Sequence, residues 1–388
     1  TLRSQKSEEE HAVFLSGNGP LVKVLRKALI LDSKIDNLRS SRSVDQFIQN
    51  IHHFRDDNLR NSDPPIEKIV VFDEAQRAWN RNKTSQFMKQ ERSIPDFDMS
   101  EPQFLLSVMD RHPDWCVVVC LIGNGQEINT GEAGINEWLE ALINYFPDWK
   151  IHISTKVADY YSEFGIKRLP NLFESHDQLH LATSIRSFRS EKLSSYISAI
   201  IDGEMDLAKQ INSHIKRFDF RVCRDLKLAR NWIKDHRRGT ERSGLFAFSN
   251  ALRLKAEGIF VKNIIKPEEW FLKDRFDTRS SDYLEDVATE FDVQGLELDW
   301  ALVCIDANLR VDRNNKLYPQ IFKGSKWQNV NDPQRQQYIL NAHRVLLTRA
   351  RQGNILFIPY GDTKDETRNP EWYESLFNYF VSCGIEPL

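Results

Sequence analysis

Short apolar runs that stop abruptly at charged or amide residues constrain this chain more than any other feature. Ile69 to Phe72 reads IVVF and ends in Asp73-Glu74, while Asp114 to Ile122 reads DWCVVVCLI and ends in Gly123-Asn124-Gly125-Gln126. A run that is apolar at every position has no side for water, which suits a strand inside a parallel sheet covered by helices on both faces. His11 to Leu15 (HAVFL) is another short strand, followed by the turn Ser16-Gly17-Asn18-Gly19-Pro20 and a helical stretch from Leu21 to Leu31. His180-Leu181 leads into a second block, with strands expected at Phe220-Arg221-Val222, Gly244 to Phe248, Trp300 to Ile305 and Ile355 to Ile358. Alternating strands and helices without an internal repeat predict an α/β fold. At 388 residues the chain exceeds what one hydrophobic core usually organises. Pro170-Asn171 interrupts the pattern between Leu169 and His180, so two domains are expected, 1–175 and 176–388, with a cleft between them.

Composition narrows the class. Hydrophobic residues at 40% and charged residues at 28% exclude a collagen-like, low-complexity or disordered chain. No apolar run approaches the ~20 residues of a membrane-spanning helix. Lys and Arg total 53 against 56 Asp and Glu, a formal charge of −3, so any nucleic-acid site has to be a local basic patch. Five scattered cysteines do not make a disulfide framework and suit a reducing, cytoplasmic setting.

In open α/β sheets ligands gather at the carboxyl ends of strands, so the polar ends are where chemistry is sought. A strand that delivers Asp73 and Glu74 side by side is a Walker B arrangement. The first carboxylate can hold Mg²⁺, a hard cation that takes oxygen ligands, and the second can orient or deprotonate a water attacking a γ-phosphate. A solvated acidic turn at a strand end is the plainer alternative, and the tail Ala75-Gln76-Arg77 argues against it.

With that tail, Asp73-Glu74-Ala75-Gln76 resembles motif II of superfamily 1 DNA and RNA helicases, and further matches follow in the family's order. Gly123 to Ile128 resembles motif III, in which the resemblance makes Gln126 a γ-phosphate sensor coupled to the nucleic-acid groove. Ser187-Phe188-Arg189-Ser190 resembles motif IV, with Arg189 directed toward the nucleotide. Thr289 to Asp299 resembles motif V around Gln294-Gly295-Leu296-Glu297. Val345 to Arg351 (VLLTRAR) resembles motif VI, which makes Arg349 an arginine finger and places Arg351 beside the nucleotide. The nearest subgroup is the bacterial helicase-like domain classed with the Schlafen group, which shares the strings DEAQRAW and GNGPL. The resemblance implies two RecA-like domains of P-loop NTPase type gripping ATP and Mg²⁺ between acid from one side and guanidinium from the other. It also implies a DNA or RNA partner, single-stranded or duplex, and associates the chain with bacterial antiviral defence.

One part of that machinery is missing, because no G-x-x-x-x-G-K-[ST] occurs anywhere in the sequence. Gly17-Asn18-Gly19-Pro20 corresponds in the family to motif Ia, which touches the nucleic-acid backbone downstream of that phosphate loop. Either the loop precedes Thr1 in a segment absent from this chain or the protein is a degenerate ATPase. The Met-less start and the intact later motifs favour the former.

Arg77, Arg81, Lys83, Lys89 and Arg92 follow motif II with Trp79 and Phe87 interleaved, a pattern suited to neutralising phosphates and stacking bases of a single strand. A solvated face, with Trp79 in the core behind the strand, is the other reading. Lys234 to Arg242 (KDHRRGTER) is a second basic cluster open to the same two readings. Cys116 and Cys120, four apart, are expected as small core residues on one side of a strand. His52-His53 and the His152/His176/His180 group lack Cys or carboxylate partners at zinc-like spacing, so no metal site is expected there. No nuclease signature is visible, so a cutting activity would come from an effector outside this chain. A non-hydrolysing nucleic-acid-binding scaffold, or an NTP-gated switch controlling such an effector, remain the rival functions.

Overall fold

The computed structural model describes residues 11–36, 41–122, 134–156, 173–180, 188–215 and 218–388. They form two compact units, one from residues up to 17 and from 45 to 186, the other from 18 to 44 and from 187 onward.

The first unit contains β1 (His11–Ser16), β2 (Ile48–Asn50), β3 (Glu67–Asp73), β4 (Val117–Cys120), β5 (Ile151–Ser154) and β6 (Phe173–His176). β2, β1, β3 and β4 lie in that order in a wholly parallel sheet, with Val13 opposite Val70 and Phe72 opposite Cys120. Its core joins Val13, Leu15, Val70 and Phe72 to Phe54, Leu105, Met109 and Trp138. Asn50 and Ser100 cap the helices 51–60 and 101–109 through their side chains, on His52 N–H and Gln103 N–H.

The run from Asp114 to Ile122 differs from expectation. The strand proper is only the four residues of β4, at one end of the sheet among the described residues, and Val117 and Val119 are exposed. Cys116, Val118, Cys120 and Ile122 turn the other way and pack on the core. One face is therefore covered and the other is not, which a continuous apolar run cannot reveal. Burial pushes the Cys120 thiol up to about 12, so the cysteine packs as a small hydrophobe, as expected. β5 and β6 form a separate parallel pair. The described residues through 180 belong to the first unit, beyond the 175/176 boundary expected from the sequence.

In the second unit β7 (Asp219–Cys223), β8 (Ser243–Ala247), β9 (Val287–Ala288), β10 (Leu298–Cys304), β14 (Ala350–Phe357) and β15 (Glu386–Pro387) build a six-stranded sheet. Its order is β15-β7-β14-β10-β8-β9 and every pairing is parallel. A small antiparallel sheet of β11 (Leu309–Val311), β12 (Leu317–Lys323) and β13 (Lys326–Asn329) interrupts the α/β alternation and was not anticipated. Gly244 is required by close approach, because a Cβ there would lie 2.5 Å from Leu298 Cδ1 and 2.6 Å from Trp270 Cη2. The helix Gly19–Asp36 also belongs to this unit, packing against helices 267–272 and 290–293. The division of 1–175 from 176–388 places that helix in the first domain, whereas its packing puts it with the second.

Candidate nucleotide and nucleic-acid site

β3 delivers Asp73 as its last residue, at the carboxyl end of the parallel sheet. The carboxyl is half-buried, and burial raises its pKa above the ordinary range against the lowering effect of the Glu74 N–H. Among the described residues Asp73 makes no ion pair. A partly desolvated carboxylate without a cation is the donor Mg²⁺ requires, so Asp73 fits the metal expected of it.

Glu74 adopts the left-handed region at φ 53° and ψ 44°, rare for a side chain with a Cβ. Such strain persists only where surrounding contacts hold it, and here they are visible. Ala75 N–H donates to Leu121 O at 2.9 Å, Trp138 Nε1 donates to Ala75 O at 2.9 Å, and Gln76 Nε2 donates to Glu74 Oε2 at 2.9 Å. Gln76 is buried, so its amide orients the Glu74 carboxylate from the protein side.

The rest of the motif II tail rests on a buried network that sequence reasoning missed. Glu101, fully buried, accepts from Trp79 N–H at 2.9 Å, from Arg55 Nη1 at 2.9 Å and lies 3.2 Å from His52 Nδ1. Burial pushes the Glu101 carboxyl up, but the His52 and Arg55 contacts and the Trp79 N–H outweigh it and leave it below its usual range. Arg55 is itself buried and stacks over Trp79 and Phe87 at 5.2 and 4.6 Å, while Lys83 Nζ sits 4.8 Å from the Trp79 ring. His52 lies 4.5 Å from the same ring. Trp79 is thus half-buried and engaged by protein cations and rings.

Of the basic residues beside it, Arg81 reaches Tyr145 Oη at 3.0 Å and Gln103 Oε1 at 3.3 Å yet stays partly exposed, and Lys89 is exposed. Arg92 instead pairs with Asp56 at 2.5 Å. In the second basic cluster Arg237 and Arg242 turn inward to Asp282, at 3.0 and 3.5 Å, which favours a structural role for that pair.

Gly17 lies beside Arg77, since a Cβ on it would sit 3.5 Å from Arg77 Cβ, and this brings two expected nucleic-acid residues together. Asn18 is buried, and its side chain works in two directions. Its Oδ1 accepts from Leu21 N–H at the start of the helix beginning at Gly19, and its Nδ2 donates to Gln294 O. Gly295, at φ 77°, leaves room for this contact, because a Cβ would lie 3.1 Å from Asn18 Nδ2. The second unit therefore joins Asn18, of the turn expected to be motif Ia, to Gln294 of the expected motif V, 276 positions away in the chain.

Arg349 follows the helix Pro333–Leu347 and is buried, with Nε donating to Val345 O at 3.2 Å and Nη2 to Thr348 Oγ1 at 3.4 Å. Arg351 is exposed and its Nε faces Glu297 Oε2 at 3.4 Å. Gln126 and the side chain of Arg189 lie outside the described residues. An open cavity lined by Arg224, Tyr360, Asp362 and Glu374 includes none of the motif residues.

The expectation that the histidines lack a carboxylate partner needs correction. Glu174 lies across the strand pair from His152 and two residues from His176, and brings an oxygen to both. The spacing Glu-x-His on a strand puts both side chains on one face, a signal present in the sequence but meaningful only once residues 173–176 are known to be a strand.

Comparison with known proteins adds one match. The model of the Schlafen group 3 DNA/RNA helicase domain family covers residues 1–360. No curated protein matches the chain.

Proposed function

Because the chain belongs to the Schlafen group 3 DNA/RNA helicase domain family, we propose that it is the core of a Mg²⁺-dependent, NTP-driven helicase or translocase acting on DNA or RNA. The observation that carries this reading is Asp73, half-buried without an ion pair among the described residues, followed by Glu74 in a strained backbone conformation. When bound, ATP with Mg²⁺ supplies the phosphoryl group and the cation that neutralises its charge.

In this proposal Asp73 holds Mg²⁺, and Glu74, oriented by Gln76, prepares the attacking water. Arg349 and Arg189 stabilise charge on the transferring group, and Gln126 couples nucleotide state to the nucleic-acid groove. Arg349 would leave its bonds to Val345 O and Thr348 Oγ1 to do so, which ties hydrolysis to a conformational step. Gln294, Gly295, Glu297 and Arg351 link the second unit's nucleic-acid contacts to nucleotide state, and Asn18 carries the motif Ia turn into the same arrangement. Nucleic acid would run past Gly17, Gly19, Arg77, Arg81 and Lys83, with Trp79 at its edge.

A phosphate-cradling loop is not among these residues, and the reading requires one from outside them. β4 pairs with β3 and ends the sheet among the described residues. A further parallel strand could pair there, and a loop after it would emerge at the same carboxyl end as Asp73. Antiviral defence in a bacterial cytoplasm, with a nuclease or other effector outside this chain, is the setting that accompanies the proposal.

The test is NTP hydrolysis by the intact protein, with and without single-stranded DNA and RNA, beside a strand-displacement assay. Stimulated hydrolysis with displacement supports the motor. Hydrolysis without displacement indicates an NTP-gated switch, and binding without hydrolysis a scaffold.

A further inference from the structure

We propose that His152, Glu174 and His176 form a binding site for a transition-metal ion of the Zn²⁺ type, separate from the Mg²⁺ position at Asp73. β5 and β6 run parallel with His152 opposite Glu174 and Ser154 opposite His176. Alternation along each strand buries Ile151 and Ile153 and sends His152, Glu174 and His176 to the opposite, accessible face.

His152 Nδ1 lies 3.0 Å from His176 Nε2 and 3.4 Å from Glu174 Oε2, and His176 Nε2 lies 3.7 Å from the same oxygen. All three ligand atoms fall within 4.8 Å of one another. A tetrahedral Zn²⁺ with ligands at roughly 2.0–2.2 Å holds them about 3.3–3.6 Å apart, so the triangle needs shifts of only a few tenths of an ångström. Two imidazoles and one carboxylate also suit the ion chemically: borderline nitrogen donors select Zn²⁺ over Mg²⁺, and the carboxylate lowers the site's charge. Among the described residues three protein ligands come together, and water would complete a tetrahedral site.

The fold gives the ion a task. β5 and β6 are four-residue strands, and a two-stranded element is marginal by itself. An ion bridging them adds its binding free energy to the folded pairing and cross-links two segments separated in sequence.

The experiment uses the full chain, stripped with a chelator and titrated with Zn²⁺ in competition with a chromophoric chelator, and separately with Co²⁺ as an optical probe. The expected result is one equivalent bound, a visible Co²⁺ spectrum of tetrahedral type, and a Zn²⁺-dependent rise in thermal stability. H152Q, H176Q and E174Q should each weaken binding about tenfold or more and remove the rise, with H53Q as an unchanged control. All three sites are accessible, so circular dichroism should remain that of the parent. Failure to bind a stoichiometric equivalent, or uptake unchanged in the H152Q/H176Q double variant, overturns the proposal. Loss of hydrolysis in D73N with Zn²⁺ uptake intact would separate this site from the proposed nucleotide centre.

Discussion

Replacing Arg55 by Met should unfold the first unit far more readily than an ordinary surface change. Arg55 and Glu101 are both buried, their N···O distance is 2.9 Å, and Glu101 also holds the Trp79 N–H. Removing the guanidinium leaves a carboxylate out of water with only His52 and one N–H, and breaking such a pair costs about 3–5 kcal/mol. For a unit of this size that corresponds to a fall in Tm of roughly 6–20 °C.

The pH dependence gives a sharper signature. In the parent, Glu101 is held below its unfolded value, so its contribution is present above the ordinary carboxylate range and is lost as pH falls through the folded value. In R55M the charged form is the unfavourable one, so the deficit should be widest near neutrality and shrink as pH falls through the variant's raised folded value toward the parent's lowered one. The double variant R55M/E101Q keeps an acceptor for Trp79 N–H without a charge and should recover much of the loss. Urea unfolding followed by tryptophan fluorescence, repeated across pH, measures all three proteins. A deficit under about 1 kcal/mol, or one that does not change with pH, would refute the view that a buried ion pair anchors the motif II tail.

E74Q should retain nucleotide binding, since Gln can still accept from Gln76 Nε2, while hydrolysis collapses; unchanged turnover removes Glu74 from its proposed role. R349A should lower turnover by about 10³–10⁵ with little change in nucleotide affinity, as single-turnover kinetics would resolve. Neutralising Arg81, Lys83 and Lys89 together should weaken single-strand binding and flatten its log–log salt slope by about 0.7 per lost phosphate contact. An unaltered slope would return that stretch to a solvated face. His343, buried with its Nδ1 donating to Ile339 O at 2.8 Å, has its pKa pushed down to about 4 by burial. Its unfolded form takes a proton first, so stability should fall by about 3 kcal/mol as pH drops from about 6.5 to 4, and H343F should lose that slope.

The placement of Asp73 and Glu74 at a strand end was legible because the pattern that sets it is local. Asp73 and Glu74 follow an apolar strand in consecutive positions, and a strand end is decided by short-range pattern. The major strands β1, β3, β8 and β10 were readable because a parallel core strand is largely apolar, whereas β7 and β14 carry Arg221, Arg351 and Asn354 and were legible only through their apolar segments. β4 shows the limit, because an unbroken apolar run does not say that one of its faces will stay open. β11 to β13 and β9 were missed because their residues are mixed and short, stabilised by partners rather than by pattern.

What the chain order determined by itself was the family and the main parallel strands, because both are carried by short strings of adjacent residues. Only tertiary structure could decide which distant residues meet: Arg55 with Glu101, Asn18 with Gln294, and His152 with Glu174 and His176. The reason is physical. Burial and strand register are collective properties of packing, so the worth of a charge or an imidazole depends on neighbours that spacing along the chain does not name.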